Sequence, residues 1–256
     1  MKILFTICGR AGSKGIKNKN LREFCGSPLP FYALSAIDLY AQRHPEHDCE
    51  TVVSSDSETL LNLFEKNPVR EVSLIRRAQD LSGDVIAKWF VIRDCLVRMK
   101  DRRGADYELV VDLDITSPLR TVADMESLMR EMSGGDYDAV FSVAESRRNP
   151  YFNMVKPGAD GGYERVIPSG FTARQQAPEI FDINGSLYAY RPDFLLRAGG
   201  IFEGRCGVIK MFDPGILDLD RENDFELMTV VADWLYRTNA AFGEVKDHIR
   251  DAASTD

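Results

Sequence analysis

The sequence predicts an α/β domain built on a mostly parallel central sheet. Short, branched apolar runs alternate with stretches of helical periodicity along most of the chain. Its 256 residues, 44% of them hydrophobic, suffice for one large core. A glycine- and cation-rich loop follows the first apolar run directly, at the strand end where wound sheets take their ligands.

Residues 3–7, Ile-Leu-Phe-Thr-Ile, read as a buried first strand. Residues 29–43 carry apolar side chains at helical spacing behind Ser27-Pro28. Residues 51–55 read as a second strand and 71–75 as a third, with Asp56 as N-cap of the helix between them. A long helix follows, with Val85, Trp89, Ile92, Leu96 and Met99 along one stripe, the pattern of a core face. Residues 107–111 and 138–143 give two further strands, and Phe225 to Leu235 a final helix. Between residues 145 and 180 the aromatic and Met content, with Gly158, Gly161 and Gly162, reads as a β excursion from the sheet. Residues 243–256 read as a polar, frayed tail.

The net charge of -8 excludes a general nucleic-acid binder, since no global basic field attracts phosphate backbones. No apolar run reaches the length of a membrane span, and the chain enters its first strand with no signal-peptide pattern. Five cysteines never form C-x-x-C, which fits reduced thiols in a cytoplasm with neither disulfides nor a zinc site. The stretch His44-Pro45-Glu46-His47-Asp48-Cys49 lacks an i, i+4 histidine pair and reads as a polar connection.

The loop after the first strand holds Gly9, Gly12 and Gly15 together with Arg10, Lys14, Lys17 and Lys19. Glycines let the backbone approach a ligand and turn its amides inward, and the cations add charge at the same place, so the loop suits a polyphosphate. The glycine spacing matches neither the dinucleotide fingerprint nor a P-loop. Two carboxylate pairs stand on alternate residues, Asp112 with Asp114 and Asp218 with Asp220. Alternation puts each pair on one side of an extended chain, where it can hold a divalent cation. The plainer alternative is that one of each pair begins the helix that follows.

Gly9-Arg10-Ala11-Gly12-Ser13-Lys14-Gly15, followed by Lys19-Asn20-Leu21, resembles the opening motif of the acylneuraminate cytidylyltransferases, Ala-Arg-x-x-Ser-Lys-Gly and then Lys-Asn. Further blocks agree in the family's order. Arg77, Leu81 and Asp84 fit its Arg-Pro-x-x-Leu-Ala segment, and Thr116-Ser117-Pro118-Leu119-Arg120 its Thr-Ser-Pro-Leu-Arg. Arg174-Gln175-Gln176-Ala177-Pro178 fits Arg-Gln-Gln-x-Pro, Asn184-Gly185 the Asn-Gly strand, and Leu217-Asp218-Leu219-Asp220 the Asp-x-Asp segment. Two positions depart from the pattern. Gly83 stands where the family has a hydroxyl residue near the nucleotide, and Asp114-Ile115 where it has Gln-Pro near the acceptor sugar.

The resemblance implies a single Rossmann-like nucleotidyltransferase domain over residues 1–242, with 145–180 reaching across a homodimer. It implies a reaction between CTP and a nonulosonic, sialic-type sugar acid that gives the CMP-sugar and pyrophosphate. Arg10 and Lys19 would hold the triphosphate and the departing pyrophosphate, with Lys14 beside them. Asp218 and Asp220 would bind Mg²⁺, which bridges phosphate oxygens and lowers the pKa of the attacking hydroxyl. Asn20, Arg77 and Asp84 would lie around the cytidine, and Arg174 against the acceptor carboxylate or the phosphates. Gly12, Ser13, Asp114, Thr116, Gln176 and Asn184 complete the implied substrate contacts. The alternatives are a Kdo-type cytidylyltransferase, a metal-dependent glycosyltransferase using Asp112 and Asp114, and a nucleotide-binding protein without turnover.

Overall fold

A computed structural model of the chain describes residues 1–12, 15–83, 86–215 and 219–254. β1 (Lys2–Cys8) enters the middle of the sheet and is followed by a small hairpin, β2 (Glu23–Phe24) with β3 (Ser27–Pro28). Next come α1 (Phe31–Arg43), β4 (Asp48–Ser55), α2 (Glu58–Glu65), β5 (Ser73–Arg76), α3 (Lys88–Arg103), β6 (Leu109–Leu113), α4 (Val122–Gly134) and β7 (Ala139–Glu145). The excursion holds a second hairpin, β8 (Val155–Pro157) with β9 (Tyr163–Arg165). The chain returns through β10 (Phe181–Tyr190), α5 (Pro192–Arg197) and β11 (Cys206–Lys210), and closes with α6 (Glu222–Thr238) and α7 (Ala240–Ala253).

The main sheet has the order β11-β7-β10-β6-β1-β4-β5. Every neighbouring pair is parallel except those of β10, which runs antiparallel between β6 and β7. The predicted mostly parallel α/β architecture is what the chain adopts. Alternation along β1 divides the core in two. Ile3, Phe5 and Ile7 join the cluster formed with α1, α2, α4, α6 and α7, while Leu4 joins the cluster under α3 and α5. On that second face Trp89 meets Tyr190 and Phe194 edge-on, with centroids at 5.2 and 5.3 Å.

Three expectations need correction. Asp56 does not cap α2. Ser57 does, its hydroxyl accepting from the Leu60 amide at 3.2 Å, which leaves Asp56 to accept from the Ala11 amide at 2.7 Å and tie down the glycine loop. Neither Asp112 nor Asp114 begins α4, because Thr121 caps it in a reciprocal box with Asp124. The supposed frayed tail is helical to Ala253. Phe242, Val245 and Ile249 of α7 are buried, Ser35 donates to the Val245 carbonyl at 2.7 Å, and His248 pairs with Asp38 at 2.8 Å. Apolar spacing at i, i+3 and i+7 outweighs the charged residues between them.

Candidate active site

The carboxyl ends of β1, β5 and β6 open on one cleft of about 420 Å³. Arg10, Gly15 and Lys19 come from the loop after β1, Arg77 from the end of β5, Lys88 from the start of α3, Asp114 and Thr116 from the end of β6, and Asp220 from the segment before α6.

The loop is fastened from several directions. Gly12 has φ +76°, the left-handed region that glycine enters without a Cβ clash. Arg77 is buried and donates at 2.8 Å to the carbonyls of both Gly9 and Ser54, so its guanidinium binds the loop's first residue to β4. Asn20, also buried, donates to the Arg10 carbonyl at 3.2 Å. These two residues line the cleft, yet their side chains bond to this chain itself: Asn20 to a backbone carbonyl, Arg77 to two carbonyls and, through Nε, to the Ser54 hydroxyl at 3.4 Å. Across the opening Lys19 Nζ stands 3.5 Å from Asp220 Oδ1, and Lys17 faces outward. Gly15 packs directly on the backbone of Asp220: a Cβ there would overlap the Asp220 carbonyl oxygen.

Lys88, which sequence reasoning missed, occupies the floor. Its ammonium lies 2.6 Å from Asp112 Oδ2 and 2.8 Å from Asp114 Oδ2. Asp112 is fully buried, and its other oxygen accepts from Thr6 Oγ1 at 2.7 Å. The pair therefore already holds a cation, a protein ammonium, which counts against the reading of Asp112 and Asp114 as a metal site. Burial pushes Asp114 upward, but Lys88 and the Thr116 amide and hydroxyl outweigh it and hold the carboxyl at about 2. Burial likewise opposes the charge on Lys88, and the two carboxylates override it, leaving the ammonium well above its usual range. A lysine at the first position of a helix opposes the helix dipole, but the sequence reading starts this helix at Val85, so the anomaly shows only once α3 is seen to begin at Lys88. Arg120, almost fully buried, donates through Nη2 to the Asp114 and Ser117 carbonyls and through Nε to Ser186 Oγ at 3.2 Å, fixing the turn that presents Asp114. Burial lowers its guanidinium to about 10.

The structure thus brings Arg10, Lys19, Asn20, Arg77, Asp114, Thr116 and Asp220 around one cleft. Ser13, Lys14, Asp84 and Asp218 lie outside the described residues. Three expected contacts are elsewhere. Arg174 is exposed in the excursion and donates to the Ser146 carbonyl at 2.7 Å, and Gln176 accepts from the Thr172 and Ala173 amides at 2.9 and 3.2 Å. Asn184 is buried within β10, accepting from Ser142 Oγ at 2.5 Å and the Ser186 amide at 3.2 Å. Its polar side chain satisfies an irregular stretch of strand where Gly185 has φ +68°. Gly83 does line the cleft, and the neighbouring Ser82 hydroxyl does not substitute for the missing one, since it donates to the Ala78 carbonyl at 2.8 Å.

Comparison with known proteins places the chain in a family. The family profile described as Cytidylyltransferase matches residues 4–153. The chain is 34% identical over 230 residues to the CMP-N,N'-diacetyllegionaminic acid synthase of Campylobacter jejuni, covering 89% of this chain and 93% of that protein. It is 28% identical over 227 residues to the N-acylneuraminate cytidylyltransferase of Streptococcus agalactiae serotype III, covering 88% of this chain and 52% of that longer protein. Its fold is similar to that of a solved CMP:2-keto-3-deoxy-manno-octonic acid synthetase complexed with CTP, with TM-score 0.62 and 15% identity over 91% of this chain and 99% of the other. The chain belongs to the cytidylyltransferase family.

Proposed function

We propose that this enzyme joins CTP to the anomeric hydroxyl of a nonulosonic, sialic-type acid, with N,N'-diacetyllegionaminic acid the first acceptor to try. The hydroxyl oxygen forms a bond to the α-phosphorus, the bond from that phosphorus to the β-phosphate bridge breaks, and pyrophosphate leaves with the electron pair. The observation that carries this reading is the cleft itself. Arg10 and Lys19 stand on a fastened glycine loop at a strand's carboxyl end, facing Asp220 across the opening.

In-line displacement asks a protein mainly for positioning and charge neutralisation. Arg10 and Lys19 neutralise the triphosphate and then the departing pyrophosphate. Asp220 is exposed at the cleft edge, and its oxygens, with those of Asp218, are the hard donors that suit Mg²⁺. Bound there, Mg²⁺ supplies positive charge to phosphate oxygens. Lys88, held between Asp112 and Asp114, keeps the floor of the cleft rigid. Arg77 and Asn20 shape the loop, leaving polar atoms of the cleft wall to the cytidine.

The excursion is the proposed dimer contact. Met154, Val155 and Tyr163 stand out from it as exposed apolar side chains, and Arg174 and Gln176 on the same segment would then reach a partner's cleft. A cytoplasmic setting fits the five free cysteines. A glycosyltransferase using Asp112 and Asp114 is disfavoured, because Lys88 already bridges them.

The test incubates the full chain with CTP, Mg²⁺ and a panel of legionaminic, pseudaminic, sialic and octulosonic acids and reads pyrophosphate. At least one nonulosonic acid is expected to release it, with CTP clearly preferred over UTP, because a pocket polar toward N4 leaves groups unpaired against uracil. Turnover with the octulosonic acid alone would favour the Kdo-type alternative. No release with any acid, or equal rates with UTP, would overturn the proposal.

A further inference from the structure

At the other end of the sheet, the connection from α1 to β4 gathers groups that the cleft chemistry does not use. Pro45 shapes a turn closed by the His47 amide donating to the His44 carbonyl at 3.0 Å. The turn sets the two imidazoles nearly parallel, with centroids 5.5 Å apart and planes at 18°. It also places Glu46 Oε1 between them, 3.1 Å from His44 Nδ1 and 3.9 Å from His47 Nε2. The remaining ring nitrogens are held by other elements. His44 Nε2 lies 3.3 Å from Glu126 Oε1 on α4, and His47 Nδ1 lies 2.8 Å from the hydroxyl of Tyr40, a buried residue of α1.

This is the arrangement that metal-ligating histidines need. A proton on the nitrogen turned outward, donated to a carboxylate or hydroxyl oxygen, leaves the lone pair of the other nitrogen aimed inward. Here both inward nitrogens face one carboxylate oxygen, and all three atoms lie within 4.8 Å of one another. Ligands about 2.0–2.2 Å from a tetrahedral zinc are separated by a little over 3 Å, so only the His47 side of the triangle must shorten.

We infer that His44, Glu46 and His47 form a binding site for a divalent d-block cation of the zinc type, separate from the nucleotide cleft. Two imidazoles and one carboxylate suit Zn²⁺ better than Mg²⁺ or Ca²⁺, which prefer all-oxygen shells. The bound ion would clip the end of α1 to the start of β4, and through Glu126 to α4. Its role is structural: it lies at the amino ends of the strands, whereas the cleft lies at the carboxyl ends. The inference does not depend on the substrate assignment.

Equilibrium dialysis of the EDTA-stripped full chain against Zn²⁺, in millimolar Mg²⁺ to occupy the cleft carboxylates, is the test. One Zn²⁺ per chain at micromolar or tighter affinity is expected, with a rise in Tm. Substituting Co²⁺ is expected to give visible absorption bands. His47→Gln and Glu46→Gln should each weaken Zn²⁺ at least tenfold and abolish the Co²⁺ bands. Glu126→Gln should weaken Zn²⁺ by a smaller factor, since it only orients His44. The Glu46 side chain is 61% exposed, so Glu46→Gln cannot fail through misfolding of the core and decides the matter if a histidine variant does not fold. Absence of the Zn²⁺ equivalent, or its retention at wild-type affinity in Glu46→Gln, overturns the inference.

Discussion

Replacing Lys88 by Met removes the ammonium that holds Asp112 and Asp114 together and leaves the apolar stem nearly intact. The loss falls on contacts of 2.6 and 2.8 Å beneath the cleft, one of them to a fully buried carboxylate. Removing one partner of a buried ion pair costs about 3–5 kcal/mol, because a charge is left uncompensated. The low end applies here, since Asp112 keeps Thr6 and Asp114 keeps the two Thr116 donors. About 3 kcal/mol in a chain of this size corresponds to a Tm lower by roughly 6–12 °C. The pH dependence supplies the sharper check. In the wild type Asp114 titrates at about 2, below its ordinary 3.8, so its contribution is present above pH 3.8 and is lost only as pH falls toward 2. In the variant Asp114 loses the cation that offsets its burial, so its carboxyl moves upward. The deficit should therefore be largest at pH 8, shrink as pH falls toward 5, and be reduced by Asp112→Asn in the same chain. Thermal melts at pH 5, 6.5 and 8 measure this. A Tm within 2 °C of wild type at pH 8, or a deficit that grows on acidification, would refute the reasoning.

Lys19→Ala should lower kcat more than it raises the KM for CTP, whereas Lys17→Ala, on the outward face of the same loop, should change both by less than about twofold; equal mild losses would remove Lys19 from the chemistry. Asp220→Ala should lower kcat by on the order of a hundredfold in saturating Mg²⁺, read by pyrophosphate release, and a near-normal rate would place the ion elsewhere. Gly83→Ser would add a hydroxyl at the cleft wall where Ile86 Cγ1, 3.4 Å from a built Cβ, leaves ordinary room. Steady-state kinetics should show the KM for CTP falling severalfold, and an unchanged value would mean that the cytidine does not pass Gly83.

The central strands were legible because burial on both faces writes them as near-continuous branched runs, such as residues 3–7, and 107–111 for the strand that spans 109–113; β11, with every second residue exposed, was not. The cationic loop was legible because its glycines and lysines are contiguous. Lys88 was not, since its partners lie 24 and 26 residues away and only the register of β1 on β6 brings Thr6 beside Asp112. Arg77 and Asn20 show a different limit. Both carry the motifs of site residues, but no motif reveals that their side-chain donors are spent within the chain, on the Gly9, Arg10 and Ser54 carbonyls and the Ser54 hydroxyl. From the sequence the His44–His47 turn reads as a polar connection, because spacing rules for zinc sites look for i, i+4 pairs on helices, and here a proline turn brings i and i+3 together. α7 was hidden by composition, its three buried apolar residues outnumbered by charges.

The position of β10 has a consequence for how the protein is made. Residues 109–113 and 139–145 form strands that never touch in the finished sheet, because residues 181–190 stand between them. A nascent chain emerging from the ribosome has both strands in solution while their shared partner is still unsynthesised. At about 5–20 residues per second the wait lasts seconds, long compared with the microseconds in which a hairpin forms. During that interval β6 offers an unpaired edge running Leu-Val-Val-Asp-Leu, close in kind to segments that stack between molecules. Asp112, the fourth of those five residues, places a charge on that edge, and a charge there discourages association of one exposed edge with another. Chains lacking it should aggregate during synthesis to a degree that the stability of the folded enzyme would not foretell.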